Sequence, residues 1–296
     1  MFRKLVPYAS IMLLIFLSAC VPVAAASAQP IVVPAFTQTL PPTPTFTPTL
    51  TATQVPTLAP TQLPTPTSTP ELIFQGPGPI VCPILLYHHL GDTKSTDPAV
   101  TEYFVGAEQF TDEMQTLFDL GYRTITVTEL VNAMRHGGNL PNKPVIISFD
   151  DGFESVNTIA YPIMETFGFV GVTYVPARVI NVPGYESADE LKQLVSSGWE
   201  VGSHSFSHPF LTKSDNLTLE IGGSKAIIEK LIGSPVYSFA YPYGDTNADI
   251  TNRVAAYYSS GAGLGDFVRQ GDKYFLSRRP VLRDTPIATF IGYLSP

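Results

Sequence analysis

From about residue 80 onwards, short apolar runs alternate with segments whose apolar residues recur at helical spacing. The predicted strands span residues 80–86, 122–127, 145–149, 169–175, 199–202, 236–240, 259–264 and 274–281. The predicted helices lie around residues 110–118, 128–135, 161–167, 187–195, 218–231 and 248–258. Because the connections are short, this alternation predicts an α/β fold with a parallel sheet covered by helices. The number of units is sufficient to close a (β/α) barrel, and an open doubly wound sheet is the alternative.

Polar residues with possible chemistry follow three of the predicted strands. Asp150 and Asp151 come directly after residues 145–149, and Gly152 then allows a sharp turn. His204 and His208 follow residues 199–202, and the stretch Tyr-Pro-Tyr-Gly at 241–244 follows residues 236–240. In a parallel barrel the carboxyl ends of all strands meet at one rim, so we expect these segments to converge on one cleft.

The residue types expected in this cleft suit the binding of a divalent metal ion. Asp-Asp-Gly alone is more often a solvated turn than a site. Two imidazoles four positions apart, His204 and His208, can however converge on one ion, and an aspartate is the usual third ligand of a hydrolytic zinc. Zn²⁺ is therefore the expected metal, with Co²⁺, Ni²⁺ and Fe²⁺ as alternatives for the same ligand types.

Three segments, in this order, resemble the motifs of the polysaccharide deacetylase (NodB-homology) family: Ser-Phe-Asp-Asp-Gly, His-Ser-Phe-Ser-His and Phe-Ala-Tyr-Pro-Tyr-Gly. The resemblance covers about residues 79–296. It implies a distorted (β/α) barrel of about seven parallel strands, a divalent metal, and hydrolysis of acetamide groups on N-acetylated glycans. It also implies that Asp151, His204 and His208 bind the metal and that Asp150 is the general base.

The third motif is expected to form the wall of the sugar groove. The resemblance implies that the backbone N–H of Tyr243 donates to the oxyanion of the reaction. Tyr241 and Tyr243 are also the expected stacking residues, because a glycan ring presents C–H groups to an aromatic face.

The sequence departs from the family pattern at two positions. Many members carry a late histidine that protonates the leaving nitrogen, but no histidine follows His208. We expect His88 to replace it, with His89 as the second choice, since a Tyr-His after an early strand occurs in one branch of the family; the alternative for either is a buried histidine without a catalytic role. Ala240 stands where an arginine often pairs with the base. The candidates to replace that arginine are Arg278, Arg279 and Arg283.

The N-terminal part of the chain has the features of an exported, tethered protein. Residues 1–20 resemble a bacterial lipoprotein signal ending in the lipobox Leu-Ser-Ala-Cys, in which Cys20 would be lipidated. Residues 21–76 are predicted to be a disordered linker, since residues 30–70 contain 11 prolines, 13 threonines and no charged side chain. The folded domain is predicted to span residues 77–296. These features predict a protein anchored on the outer face of the cell membrane, or secreted if Cys20 is not lipidated.

Charge and the site composition limit the function classes. All 25 Asp and Glu residues but only 15 of the 17 Lys and Arg residues lie after residue 70, so this part has a formal charge of −10. Nucleic acid is therefore not an expected partner, and no obligate protein partner is inferred. The expected function is metal-dependent deacetylation of an N-acetylated cell-wall or extracellular polysaccharide, such as peptidoglycan, a chitin-like chain or poly-N-acetylglucosamine. The alternatives are an O-acetyl carbohydrate esterase and an inactive, wall-tethered glycan-binding domain.

Overall fold

A computed structural model describes residues 71–295 of the 296-residue chain. The predicted signal segment, Cys20 and the predicted linker up to residue 70 lie outside the described residues. The strands of the described part are β1 (Leu72–Gln75), β2 (Ile80–Val81), β3 (Ile84–Tyr87), β4 (His89–Leu90), β5 (Phe104–Val105), β6 (Arg123–Thr124), β7 (Gly138–Pro141), β8 (Pro144–Phe149), β9 (Val172–Val175), β10 (Glu200–Ser203), β11 (Ser238–Ala240), β12 (Ser260–Leu264), β13 (Arg269–Gln270) and β14 (Leu276–Pro280). The helices are α1 (Pro98–Thr101), α2 (Ala107–Asp119), α3 (Val127–His136), α4 (Tyr161–Thr166), α5 (Ala188–Ser196), α6 (Ser224–Ile232), α7 (Ala248–Tyr257) and α8 (Ile287–Gly292). Among residues 71–295, none of these helices combines the length and apolarity that crossing a membrane requires.

Seven strands close into a parallel barrel in the order β3, β14, β12, β11, β10, β9 and β8, and β8 pairs with β3 to complete the ring. The closing pair runs from Ile84 opposite Ile146 to Tyr87 opposite Phe149. Every position of β8 is buried, because one face lies inside the barrel and helices cover the other. The predicted distorted α/β barrel of about seven parallel strands is confirmed, and the β3–β8 pairing excludes the open sheet.

The predicted strand at residues 122–127 is shorter than expected and lies outside the ring. Only Arg123–Thr124 form a strand, β6, which pairs with the first residues of β8, Pro144 and Val145. β9 pairs with β8 further along, from Ser148 onwards. Thr126 and Glu129 then form a capping box that starts α3 at Val127. Thr126 and Val127, which the apolar pattern assigned to the strand, therefore belong to the start of the helix.

Helix α3 covers the interior of the barrel at one end. Its apolar residues, among them Leu130 and Val131, share one buried cluster with inward-facing strand residues such as Ile146, Tyr174 and Leu276. The carboxyl ends of the strands, where the predicted site residues lie, are left accessible at the opposite rim. The apolar cluster under α3 and the polar residues of the predicted site therefore lie at opposite ends of the same barrel.

The disordered linker was predicted to end at residue 76, but residues 72–75 form a strand, so the predicted boundary is wrong. Leu72–Gln75 form β1, which pairs antiparallel with β7, from Leu72 opposite Pro141 to Gln75 opposite Gly138. The low charge and high proline content that indicate disorder further upstream end before this segment, and Leu-Ile-Phe has good strand propensity. Residue 71, where the first acidic side chain occurs, is a better boundary than residue 77.

Candidate metal centre and active site

Three side chains from two rim loops converge on one point. Asp151 follows β8, and His204 and His208 follow β10, as the sequence predicted. Their ligand atoms all lie within 4.8 Å of one another. The Nε2 atoms of His204 and His208 are 3.1 Å apart, and Asp151 Oδ1 lies 3.8 and 3.3 Å from them, respectively. Two nitrogens bound tetrahedrally to one zinc at the usual Zn–N length are separated by roughly 3.3 Å, so this spacing fits a shared ion.

The tautomer of His204 suits a metal ligand. Its Nδ1 lies 2.9 Å from the carbonyl oxygen of Ala240, which can only accept a hydrogen bond, so Nδ1 carries the hydrogen. The lone pair of Nε2 is then directed towards Asp151 and His208. A backbone carbonyl that fixes the ring of a histidine in this way is the usual second partner of a metal-binding imidazole. The donor set of two imidazoles and one carboxylate therefore fits a divalent transition metal.

Asp150 lies beside this cluster, with its Oδ2 3.6 Å from His204 Nε2, and forms a buried ion pair of its own. Its two carboxylate oxygens accept hydrogen bonds of 2.7 and 2.8 Å from the NH1 and NH2 groups of Arg278 in β14. The two side chains are 4% and 1% exposed. Of the three arginines expected to replace the missing one, Arg278 pairs with Asp150, whereas Arg279 lies against Asp266 and Arg283 donates to the carbonyl of Phe104.

The electrostatics separate the roles of the two aspartates. Burial alone would raise the pKa of Asp150, but Arg278 and His204 lower it to about 2. Burial raises the pKa of Asp151 to about 6, and it lowers the pKa of His204 to about 4. Both effects favour neutral ligands, and a bound dication would reverse the shift of Asp151 because it stabilises the carboxylate. Asp150 is thus ionised at neutral pH without a metal.

The histidine loop is fixed by a residue that the sequence analysis did not identify. Glu220 accepts hydrogen bonds from the backbone N–H groups of Phe206 (3.0 Å) and Ser207 (2.8 Å) and from the hydroxyl of Ser207 (2.7 Å). It is only 6% exposed. The signal was present in the sequence, because Glu220 has helical spacing with Ser224 and Ile228 and so belongs to the buried face of the predicted helix 218–231.

Backbone strain is concentrated at this rim. Asp151, Ser205, His208 and Tyr243 all have positive φ, between 59° and 72°, although none is a glycine. Each such residue costs about 1–3 kcal/mol, and this strain persists only where the surrounding structure enforces it. Gly152 also has a positive φ of 69°, and a Cβ there would lie 3.0 Å from the side chain of Val175. The loop after β8 can therefore turn sharply only with glycine at this position.

His88 and His89 lie at the same cleft but have different surroundings. His88 lines the cavity with Asp150 and Asp151 and forms no ion pair with either among the described residues. Its ring lies edge-on to Tyr103, 4.8 Å away. His89 stacks on Phe104 at 4.0 Å, and burial lowers its pKa. His88 is therefore better placed than His89 to exchange a proton at the metal centre.

The two tyrosines of the third motif occupy different environments. Tyr243 is 54% exposed and stacks on Phe210, with ring centroids 4.1 Å apart, next to His208. Tyr241 is 1% exposed, and its hydroxyl donates to the carbonyl of Tyr274. The predicted stacking role of Tyr241 is therefore wrong, because its buried ring offers no face to a sugar. Phe210 was missed by the sequence analysis, since nothing in its local pattern distinguishes it from an ordinary exposed aromatic.

Comparisons with known proteins find polysaccharide deacetylases among the similar sequences and structures. A family model described as polysaccharide deacetylase matches residues 137–259. YxkH of Bacillus subtilis (strain 168), which is assigned by name to the polysaccharide deacetylases, is 24% identical over 173 residues, or 58% of this chain and 60% of the relative. The poly-β-1,6-N-acetyl-D-glucosamine N-deacetylase of Staphylococcus aureus (strain MRSA252) is 25% identical over 171 residues, or 52% of this chain and 59% of the relative.

A crystal structure of a polysaccharide deacetylase from Bacillus cereus has a TM-score of 0.65 with this chain at 26% identity, covering 73% of this chain and 70% of the other. For the two sequence relatives, from B. subtilis and S. aureus, the matched part of this chain spans about three fifths of the length of the relative. Together, these matches support the resemblance to the polysaccharide deacetylase family.

Proposed function

We propose that this chain is a metal-dependent hydrolase that removes acetyl groups from an N-acetylated polysaccharide. The observation that carries the proposal is the adjacency of two different carboxylates. Asp151 converges with two imidazoles on one point, and Asp150 is kept ionised by Arg278 only 3.6 Å from His204 Nε2. Amide hydrolysis at neutral pH needs this combination of a Lewis acid and a nearby base.

Asp151, His204 and His208 would hold the metal, with zinc as the preferred ion. When bound, the metal polarises the acetyl carbonyl and makes a water molecule more acidic. Asp150 accepts the proton of the attacking water. Its pairing with Arg278 uses two of its lone pairs and leaves the others free, so the ion pair orients the base without blocking it.

Two further groups complete the proposed reaction. The backbone N–H of Tyr243 donates to the carbonyl oxygen as it becomes negative, and such a donor is typically worth about 3 kcal/mol. His88 donates a proton to the leaving nitrogen, so that the C–N bond breaks to give acetate and the free amine. The position of His88 in the same cavity as Asp150 and Asp151 supports this role.

The relatives and the N-terminal sequence support a proposal for the substrate and for the location of the enzyme. The S. aureus relative is named for a poly-N-acetylglucosamine, and we extend the proposal to N-acetylated cell-wall and extracellular glycans, including peptidoglycan and chitin-like chains. The lipobox at Cys20 and the Thr/Pro-rich segment support a lipid-anchored enzyme on the outer face of the membrane.

An O-acetyl carbohydrate esterase is the second candidate. It is favoured by one observation: no histidine follows His208, and an ester releases an alcohol that needs less help from an acid than an amine does. A glycan-binding domain without turnover is less well supported, because such a domain has no use for an ionised base beside a set of metal ligands.

Zinc content and acetate release test the proposal together. Purified full-length protein should bind one zinc per chain, and it should release acetate from a chitooligosaccharide more readily than from an O-acetylated xylooligosaccharide. A chelator should abolish the release, and added zinc should restore it. Asp150→Asn should keep the zinc but lose turnover, whereas His208→Ala should lose both. Bound zinc with no acetate from either substrate would contradict the enzymatic assignment and favour the binding module.

A further inference from the structure

The cleft extends beyond the metal centre into a second cavity. The first cavity, about 460 Å³, contains Asp150 and His88, and the second, about 650 Å³, lies beyond Asp151 and His208. Both are lined by Asp151, Phe153, His208 and Tyr243, so they meet at the metal centre. Both have the size of ordinary ligand sites. A polymer whose acetyl group lies at the metal centre would therefore place a neighbouring sugar in the second cavity.

Aromatic rings give the second cavity apolar surfaces suited to a sugar. Phe153 and Tyr185 stack on each other with centroids 5.4 Å apart, and both line it. Tyr243 lines it as well, and its ring is held by the stack with Phe210. The rings are fixed by their partners, so little side-chain freedom is lost when a sugar packs its C–H groups on them.

One cation lines this cavity without an assigned role. Arg178 lies in the turn Ala177–Val179 after β9, and its backbone N–H donates to the carbonyl of Phe206 at 2.9 Å. Its side chain belongs to an exposed residue and forms no ion pair with any acidic group among residues 71–295. The backbone of Arg178 is thus fixed beside the histidine loop, while its guanidinium is available to a ligand.

We propose that Arg178 binds a carboxylate carried by the sugar next to the one that is deacetylated. The preferred substrate class would then be an N-acetylated glycan with anionic substituents, and this inference rests on the proposed deacetylase function. A guanidinium matches a carboxylate with two parallel hydrogen bonds, which gives both attraction and orientation. The charge of −10 on residues 71–296 repels an anionic polymer at long range, and the local cation offsets this repulsion where the two charges meet.

Three tetrasaccharides of equal length separate the effect of charge from that of size. The first is the neutral N-acetylglucosamine tetramer. The second alternates N-acetylglucosamine with N-acetylmuramic acid, which carries a carboxylate, and the third is the same compound with each carboxylate converted to an amide. The full-length, zinc-loaded protein is compared with the variants Arg178→Gln and Arg178→Lys, with acetate release and the binding constant as separate readouts.

The expected result is selective. Arg178→Gln should lower kcat/KM for the carboxylate tetramer about tenfold and change the values for the neutral and amidated tetramers by less than about twofold. Arg178→Lys should recover part of the loss, since it restores the charge but not the paired geometry. Arg253→Gln, which removes the same charge from an exposed residue of α7 that pairs with Asp249, is the matched control and should change none of the values.

Two results would overturn the inference. One is an equal loss on all three tetramers, which would make Arg178 a general part of the groove. The other is no loss on any of them. If the wild-type protein releases no acetate from any tetramer, the deacetylase function fails, and the binding constants still decide about Arg178. If Arg178→Gln then binds the carboxylate tetramer about tenfold more weakly than the wild type does, and binds the other two tetramers equally well, the site at Arg178 is supported. If the wild type and Arg178→Gln bind the carboxylate tetramer equally well, the inference about Arg178 is overturned.

Discussion

Replacing Arg278 by methionine should destabilise the protein through the charge it leaves behind. The substitution keeps most of the side-chain volume but removes both hydrogen bonds to Asp150, at 2.7 and 2.8 Å, from a pair whose side chains are 1% and 4% exposed. Breaking a buried pair by removing one partner typically costs about 3–5 kcal/mol, because the remaining ion has no compensation. A loss near 4 kcal/mol is a large part of the stability of a domain of this size.

The dependence of this loss on pH follows from the pKa of Asp150. In the wild-type protein that pKa is about 2, below the ordinary value near 3.9, so the pair stabilises the fold at neutral pH and the contribution is lost only as the pH falls towards 2. Without Arg278, burial dominates and raises the pKa of Asp150. The variant can then bind a proton in mildly acidic solution. We therefore expect a smaller loss at pH 5 than at pH 7.

Urea denaturation of the metal-free protein measures both effects. The chain has one tryptophan, Trp199, which is 4% exposed and reports unfolding by fluorescence. Arg279→Met is the matched control, since Arg279 is next in β14 but its ion-pair partner, Asp266, is 93% exposed; no buried charge is left without a partner, so this variant should cost less than Arg278→Met. The double variant Asp150→Asn with Arg278→Met should recover part of the loss. If Arg278→Met costs no more than Arg279→Met, the pair is not a buried ion pair and this reasoning fails.

Three further variants test other parts of the structure. Glu186 is buried, and burial raises its pKa to about 8, so this residue should lower the free energy of unfolding by up to about 1.4 kcal/mol per pH unit between about pH 4.5 and 8; Glu186→Gln should remove this contribution, so that urea titrations show a shallower decline in the variant than in the wild type. Glu220→Ala should weaken zinc binding about 10–100-fold in a competition titration, while Glu229→Gln, in the next helix α6, should not. His88→Gln should lower kcat for N-acetyl substrates by about 10²–10⁴-fold with unchanged zinc content, and full retention of turnover would remove His88 from the mechanism.

The sequence was sufficient for the barrel and for the convergence of the motif residues. Parallel strands buried on both faces produce continuous apolar runs, as in β8, and such runs can be located without a structure. Once the strands are parallel, their carboxyl ends must share a rim, so the proximity of Asp151, His204 and His208 follows from topology. The elements that the sequence analysis missed or predicted with wrong bounds are short or lie outside the ring: β1 was assigned to the linker, and β6 was predicted to be longer.

The partners of the site residues could not be predicted in the same way. Three arginines near the last strand were equivalent in the sequence, and the alternation of side chains along β14 decides between two of them: Arg278 faces Asp150 inside the barrel, and Arg279 faces Asp266 at the surface. The burial of Tyr241 depends on contacts with Tyr274, which lies 33 residues further along the chain. Such contacts depend on register, and an apolar pattern does not specify register across a barrel.

The ion pair between Asp150 and Arg278 joins residues 128 positions apart. This separation determines the order in which the parts of the site form during synthesis. During synthesis β8 and β10 emerge before β14, so a growing chain already carries the three residues that follow them, Asp151, His204 and His208, while Asp150 still lacks its counter-ion. The ion pair of Asp150 therefore forms only when β14 takes its place between β12 and β3. Under the proposed function, the site therefore acquires its ion-paired base only once the barrel has closed.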